Sequence, residues 1–388
     1  MDFAEPESWA RIRKEAEAFV AEHVTKDVRD DERRCGDGVN RPLTRALGSR
    51  GWVAPRWPLA EGGAGLDDFE AGVLSGTLRL GGVPTTGHGT TLLPANAIRQ
   101  LGSAEMRQRI LPGVAAGETL ICLGYTEPGG GSDLFACATT ADREGDHWRI
   151  NGQKMFTTFA HEADYCFLLT RSQRGTTGPR GLTLFLVPMD SPGIEVRPVR
   201  TMGHERTNVV YYTDVLVNDA DRIGEPHGGL AVLRAALEAE HNVAPSSKTG
   251  QVLDACLRFA RTASSPDGGA LIDEPSVRRR LARMSIEAEV SDLLNLRAAF
   301  FTAAGEKPGP VAALWGPESY VRASANAMDI AGTAGLLDWS EAAAEVDGEL
   351  EAHYRSAVAT TIYGGSSEVL RSLIVEQRLG LPRSRPST

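Results

Sequence analysis

The sequence predicts a multidomain α and β fold. A helical N-terminal domain covers residues 1–120, a central antiparallel β domain (barrel or sandwich) covers 121–225, and a C-terminal helical bundle covers 226–388. Three observations carry this. Apolar residues recur three and four positions apart in the first and last parts. Between them stand several short apolar segments bounded by Gly, Pro, Asp and Asn, with no helical pattern among them. At 388 residues the chain is long enough for two or three domains.

In the first part, SWARIRKEAEAFVAEHV puts Trp9, Ile12, Ala16, Phe19 and Val20 on one stripe, with Ser8 as the expected N-cap. A loop rich in Gly and Pro follows, and DDFEAGVLSGTLRLGG is helical up to its glycines. SAEMRQRILPGVAAGE opens a further helix at Ser103, with Glu105 in its first turn. In the second part, HWRINGQKMFTT carries a hairpin signal at Asn151–Gly152. YCFLLTRS, GLTLFLVPM, GIEVRPV and VVYYTDVLV read as strands. The third part holds GLAVLRAALEAEHNVA, the long periodic segment from Pro275, GPESYVRASANAMDIAG and SSEVLRSLIVEQRLG. ASSPDGGALIDEP and PRSRPST are the expected flexible pieces.

Composition narrows the function. A net charge of −10 argues against a nucleic-acid surface and against a polybasic membrane patch. The five cysteines are scattered without a C-x-x-C pair, which disfavours a disulfide scaffold or a zinc site. His88, His161 and His353 have no metal-ligand spacing, so no metal is expected and they read as structural or solvated. With no signal segment and no apolar run long enough to span a bilayer, the expected compartment is the cytoplasm.

Four segments can carry chemistry. GYTEPGGGSD offers a glycine loop whose N–H groups can meet an anion, with the Thr126 and Ser132 hydroxyls beside it; a surface turn is the alternative. INGQKMFTT ends in Phe156, Thr157 and Thr158, an aromatic beside hydroxyls that suits a planar heterocycle, although the same residues are good strand formers. On the helix from Gly229, Leu230, Leu233, Leu237 and Ala244 form an apolar stripe, and Glu240 falls inside it. A carboxylate there is either ion-paired or held as a base with raised pKa. Finally, Gly364–Gly365 break one helix and Ser366 or Ser367 caps the next, whose N-terminus can receive a phosphate.

Together these segments resemble the acyl-CoA dehydrogenase family, whose sequence patterns are matched in order by WPLAEGGAG, LPGVAAGE, TEPGGGSD, NGQKMFTT and GSSEVLR. The resemblance implies a helical domain, an antiparallel β-barrel and a four-helix bundle, with FAD between barrel and bundle. It implies that Thr126 and Thr158 face the isoalloxazine edge, that Phe156 stands at the flavin face, that Ser132 lies near phosphate groups, and that Tyr125 and Gly131 also bind the cofactor. Gly332 and Gly335 would approach the pyrophosphate, and Ser366 and Glu368 the adenosine. Phe156 stands where most relatives have Trp. Many members carry the catalytic base in Y-E-G-T, where this chain has Gly364, so the base moves to Glu240, as in the isovaleryl-CoA-dehydrogenase-like branch. His241 replaces that branch's Arg, and the R-x-x-F-G clamp on a neighbouring subunit's FAD is missing.

The implied activity is α,β-dehydrogenation of an acyl thioester, on CoA or on an acyl-carrier protein. Electron-transfer flavoprotein is the implied acceptor. The expected assembly is a homodimer or homotetramer, with a heterotetramer as in steroid side-chain degradation as the variant, and members of biosynthetic clusters are similar too. Alternatives on this fold are a flavin monooxygenase or oxidase, or a subunit completing a partner's FAD site.

Overall fold

The computed structural model describes residues 6–240, 248–306 and 309–382; the side chains of 237–240 lie outside that description. Six helices come first: α1 (Glu7–His23), α2 (Lys26–Cys35), α3 (Arg41–Gly48), α4 (Asp68–Leu80), α5 (Thr86–Leu101) and α6 (Ala104–Ala115). Ile12, Ala16 and Phe19 bury the expected stripe of α1 against Leu43, Leu47, Leu74 and Leu78. Ser8 is not the cap: α1 starts at Glu7, two residues earlier than that cap implies, behind Pro6, whose φ of −58° suits a helix entry without a side-chain acceptor. Ser103 does cap α6, accepting the Met106 N–H at 3.1 Å. A capping box between Asp67 and Glu70 starts α4.

The β part departs from a closed antiparallel barrel. Its strands are β1 (Ile121–Gly124), β2 (Thr140–Glu144), β3 (His147–Lys154), β4 (Tyr165–Arg171), β5 (Leu182–Pro188), β6 (Ile194–Arg200), β7 (Arg206–Asn218) and β8 (Arg222–Ile223). They form one mixed, open sheet in the order β6-β7-β3-β2-β4-β5-β8, with β1 running parallel to β4. The chain enters from α6 along the same direction as β4, which makes β1 parallel, and the outer strands β6 and β8 do not pair, which leaves the sheet open. β4 and β5 are buried on both faces. One face meets α5 and α6 through Phe167, Leu184 and Leu186, and the other closes over Trp148, Ile150 and Tyr212.

Asn151–Gly152 is not a hairpin turn. Both lie inside β3, where the pairing with β7 shifts register between Ile150 and Gly152. Gly152 is needed there because a Cβ would stand 2.6 Å from the Thr139 hydroxyl, while Asn151 exchanges hydrogen bonds with Asp214 across the bulge.

The third part comprises α7 (Gly229–Glu240), α8 (Lys248–Thr262), α9 (Pro275–Ala303), α10 (Val311–Ala331), α11 (Glu349–Ala357) and α12 (Ser367–Gln377). α8 to α11 share a core that includes Val252, Met284, Tyr320 and Ala327. The segment expected to be a flexible linker is instead a closed turn, in which the Ser265 N–H donates to Gly269 O at 2.8 Å and Ser264 bridges Ala270. The tail expected to be flexible lies largely outside the described residues. No helix among the described residues is long and apolar enough to cross a membrane.

One acid in the helical domain sets a pH dependence. Glu32 Oε1 accepts the Gly38 N–H at 3.2 Å, while Oε2 is buried with no partner among the described residues. Burial, then the neighbouring Asp37 charge, pushes the carboxyl up to about 7. Because the folded pKa is raised, its stabilising contribution is complete below the unfolded value near 4.5 and is lost as pH rises through about 7. Glu32→Gln is therefore expected to stabilise the protein at pH 8 by on the order of 1–3 kcal/mol, with little gain at pH 5. Urea midpoints of both proteins at the two pH values check this; an equal gain at both pH values would contradict it.

Candidate active site

The glycine loop after β1 and the end of β3 are drawn together by a buried ion pair. Lys154 Nζ lies 2.7 Å from Glu127 Oε1, and their side chains are 0% and 10% exposed. Lys154 also donates to Tyr125 O at 3.2 Å, and Glu127 accepts the N–H groups of Ala138 and Thr139 at 2.7 and 2.9 Å. Burial alone would raise the Glu127 pKa; the Lys154 charge, with hydrogen bonds from Lys154, Thr139 and Ala138, outweighs it and holds the carboxyl at about 2. These two residues sit inside the TEPGGGSD and NGQKMFTT motifs, yet the reading of the sequence passed over them. A lysine four and six residues beyond inward-facing Ile150 and Trp148, on the same face of the strand, was the available signal.

The pair brings Tyr125 and Thr126 beside Phe156 and Thr158. The Met155 N–H donates to Thr126 O at 2.8 Å, and the Thr157 N–H to Asn208 O at 2.9 Å. Asn208 Nδ2 returns a bond to Thr157 O at 2.9 Å and lies 3.4 Å from His161 Nδ1, and His161 Nε2 lies 3.1 Å from Asp37. Bonds on both sides thus fix Phe156 at φ 59°, a conformation that side chains rarely adopt, and its ring stands 54% exposed. Thr157 Oγ1 beside it is buried without a partner among the described residues. An exposed aromatic wall next to an unsatisfied hydroxyl fits a planar ring with a polar edge, so the residues present fit a flavin. Gly131 and Ser132 lie at the exposed tip of the same loop.

Gly332, Gly335, Ser366 and Glu368 form a second group on the bundle. The Arg371–Glu318 pair and Arg378 against Gly309 set α12 antiparallel to α10, so the Ser366 end of α12 points toward the Gly332 end of α10. Ser366 caps α12, accepting the Val369 N–H at 3.4 Å, with exposed Glu368 in the first turn. Gly332 ends α10 at φ 55°, and Gly335 is buried against Ala331 and Met328. Tyr363 and Gly364 are exposed, Gly364 at φ 69°, and its N–H meets no acceptor among the described residues.

A cavity of about 550 Å³ opens between α4, α5 and α7, lined in part by Trp57, Leu78, Leu92, Leu93 and Ala235. α7 buries Val232, Leu233 and Ala236. Glu240 ends that helix and its side chain lies outside the described residues, as do His241 and Ala244. Five residues, about 7.5 Å of helical rise, separate Ala235 from Glu240. Among the described residues no group of three or more His, Cys, Asp and Glu side chains gathers to hold a metal ion.

Helices, a mixed sheet and a bundle, with an exposed aromatic wall at the end of β3 and an acyl-sized cavity among the helices, are the parts of a flavin-dependent oxidoreductase. Family models agree: the acyl-CoA dehydrogenase N-terminal domain matches residues 6–118, the middle domain 122–215 and the C-terminal domain 229–379. Acyl-CoA dehydrogenase FadE26 of Mycobacterium tuberculosis is 32% identical, with 96% of this chain and 97% of that protein covered. The ChsE4–ChsE5 complex from Mycobacterium tuberculosis superposes with a TM-score of 0.89 at 30% identity, over 99% of this chain and 100% of that one. The Tcur3481–Tcur3483 steroid ACAD gives a TM-score of 0.87 at 30% identity, over 99% and 100%. The chain belongs to the acyl-CoA dehydrogenase family, FAD-dependent flavoproteins that oxidise the CH–CH bond of an acyl-CoA.

Proposed function

We propose that this protein dehydrogenates a bulky acyl thioester between its α and β carbons, with Glu240 as the base. One observation carries the reading: the helix that lines the acyl-sized cavity through Ala235 is the helix that ends in Glu240. An α-proton of a thioester is only weakly acidic, so its removal needs a placed carboxylate and donors to the thioester carbonyl. Glu240 takes the proton. The Gly364 N–H, without an acceptor among the described residues, is the donor on the C-terminal segment, a role that needs no side chain. Bound FAD supplies the acceptor for the β-hydride. Thr126, Phe156 and Thr158 hold its ring, Ser132, Gly332 and Gly335 its phosphates, and Ser366 and Glu368 its adenosine side, with Tyr125 and Gly131 also in contact with it. In this reading the chain divides near residues 120 and 225, and CoA is the carrier rather than an acyl-carrier protein.

The named steroid relatives favour a large acyl group, which a cavity of about 550 Å³ accommodates. Assembly is part of the reading, in heteromeric form as in the ChsE4–ChsE5 neighbour. It is supported by Ile286, Leu293 and Phe300, which recur every seven residues along α9 and stand 64%, 54% and 63% exposed. The test is anaerobic titration of the purified yellow protein with a panel of acyl-CoA thioesters. Bleaching of the flavin band, with formation of the 2-enoyl thioester, is expected. A protein that stays oxidised with every thioester would not be this enzyme.

A further inference from the structure

The turn that carries Phe156 is held by residues for which that mechanism has no task. Phe156 and Phe159 both stand in the left-handed region, at φ 59° and 46°, and such backbone persists only where its neighbours over-determine it. The neighbour here is Asn208 of β7. Its carbonyl accepts the Thr157 N–H at 2.9 Å and its Nδ2 donates to Thr157 O at 2.9 Å, so this one residue takes both backbone polar groups of Thr157. The second bond fixes the amide's orientation, and the same Nδ2 faces His161 Nδ1 at 3.4 Å. That imidazole nitrogen must therefore accept, which leaves the ring proton on Nε2. Nε2 lies 3.1 Å from Asp37 Oδ2, with the two side chains 15% and 7% exposed. Burial alone would raise the Asp37 pKa, but the His161 hydrogen bond, the Val39 N–H and the nearby Arg206 charge hold it below its ordinary value, so the carboxylate is an acceptor at neutral pH. Asp37 belongs to the helical domain, in the loop between α2 and α3. Gly36 O accepts the Arg206 N–H at 2.7 Å, and a Cβ on Gly36 would stand 2.2 Å from His204 O, so this loop lies flat on the start of β7.

We propose that Asp37, His161 and Asn208 form a positioning relay through which the helical domain aims the Phe156 ring at the flavin. Each member fixes the next. The Asp37 carboxylate selects the His161 tautomer whose Nδ1 can accept. That nitrogen and Thr157 O together orient the Asn208 amide. Asn208 then holds the turn with the Phe156 ring 54% exposed. The direction of donation matters here, and not charge alone: a plain cation facing Asp37 would keep the ion pair but offer Asn208 no acceptor. The inference rests on the flavin-dehydrogenase reading above and adds to it the residues that set the aromatic wall without touching the cofactor.

The test uses the full chain with para-fluorophenylalanine in place of Phe156, so that fluorine NMR reads the ring with and without FAD. Calorimetry measures FAD binding to the apoprotein, and stopped flow measures flavin reduction by acyl-CoA. His161→Gln keeps one donor for Asp37 and one acceptor for Asn208. His161→Lys keeps a cation for Asp37 and no acceptor. Asp37→Leu, outside the turn, is the second disrupting variant should His161→Lys fail to fold. His161→Lys and Asp37→Leu are expected to shift the fluorine resonance in the apoprotein. They are also expected to bind FAD about tenfold more weakly, the equivalent of one lost hydrogen bond. At saturating thioester they are expected to reduce the flavin about 10²-fold more slowly with KM little changed, the mark of a misplaced wall. His161→Gln is expected to follow the wild type in all three measurements. A resonance that stays in place in the disrupting variants overturns the proposal, even if their melting temperatures fall, because the contact is then a clamp between domains. So does His161→Lys matching the wild type, or His161→Gln failing alongside it. If the resonance moves as expected but no thioester reduces the flavin, the relay stands and the thioester reading fails. If the wild type is reduced and the resonance ignores every variant, only the relay fails.

Discussion

Glu240→Gln is expected to keep its FAD and to lose flavin reduction by acyl thioester by about 10²–10⁴-fold, the usual contribution of a positioned general base. The amide is close in size to the carboxylate but cannot accept the α-proton, so cofactor content and thioester binding should persist while the chemical step stalls. The expectation depends on where the acid stands. The C-terminal segment offers Tyr363 and Gly364, and a glycine cannot carry a proton. α7 leaves the sheet with Val232, Leu233 and Ala236 buried and Ala235 on the cavity, and the proposal takes the base from the end of that helix. A second-site test follows. Gly364→Glu in the Glu240→Gln background is expected to restore part of the reduction rate, because it returns a carboxylate to the opposite side of the same site. Rescue is expected to be incomplete, since position 364 has φ 69° and a side chain there costs on the order of 1–2 kcal/mol. Stopped-flow reduction at the wild-type rate in Glu240→Gln would remove Glu240 from the mechanism.

Local chemistry was legible in the sequence, and long-range geometry was not. Thr126, Phe156 and Thr158 could be picked out because each lies in a short segment whose composition is itself unusual. The Ser366 cap could be read because capping depends only on the next three residues. The Asn151–Gly152 signal misled because the same dipeptide that makes a tight turn also tolerates a bulge, and the choice is made by Thr139 and Asp214 on neighbouring segments. Closure of the sheet was misjudged for a related reason: it depends on whether β6 and β8 pair, which neither strand encodes alone.

Lys154→Met is expected to cost about 3–5 kcal/mol, the range for breaking a buried pair by removing one partner, and to release FAD. Methionine fills much of the lysine's volume, so the loss would come from charge and not from a cavity. Glu127 would keep the Ala138 and Thr139 N–H groups but lose the cation 2.7 Å away. Its carboxyl, now held at about 2, has a depressed folded pKa. The pair's stabilisation is therefore present above the unfolded value near 4.5 and disappears as pH falls through about 2. The variant should be most handicapped near neutral pH, with the gap closing in acid. Function is coupled to the same pair, since Lys154 fastens Tyr125 and Glu127 fastens Ala138 and Thr139, and between them they set the glycine loop against Phe156. Adding Glu127→Gln to Lys154→Met removes the stranded charge and is expected to recover at least half of the lost stability without restoring full FAD retention. Denaturation midpoints and flavin-to-protein ratios of the three variants would measure this. A Lys154→Met protein as stable and as yellow as the wild type would show that the loop is held by something other than this ion pair.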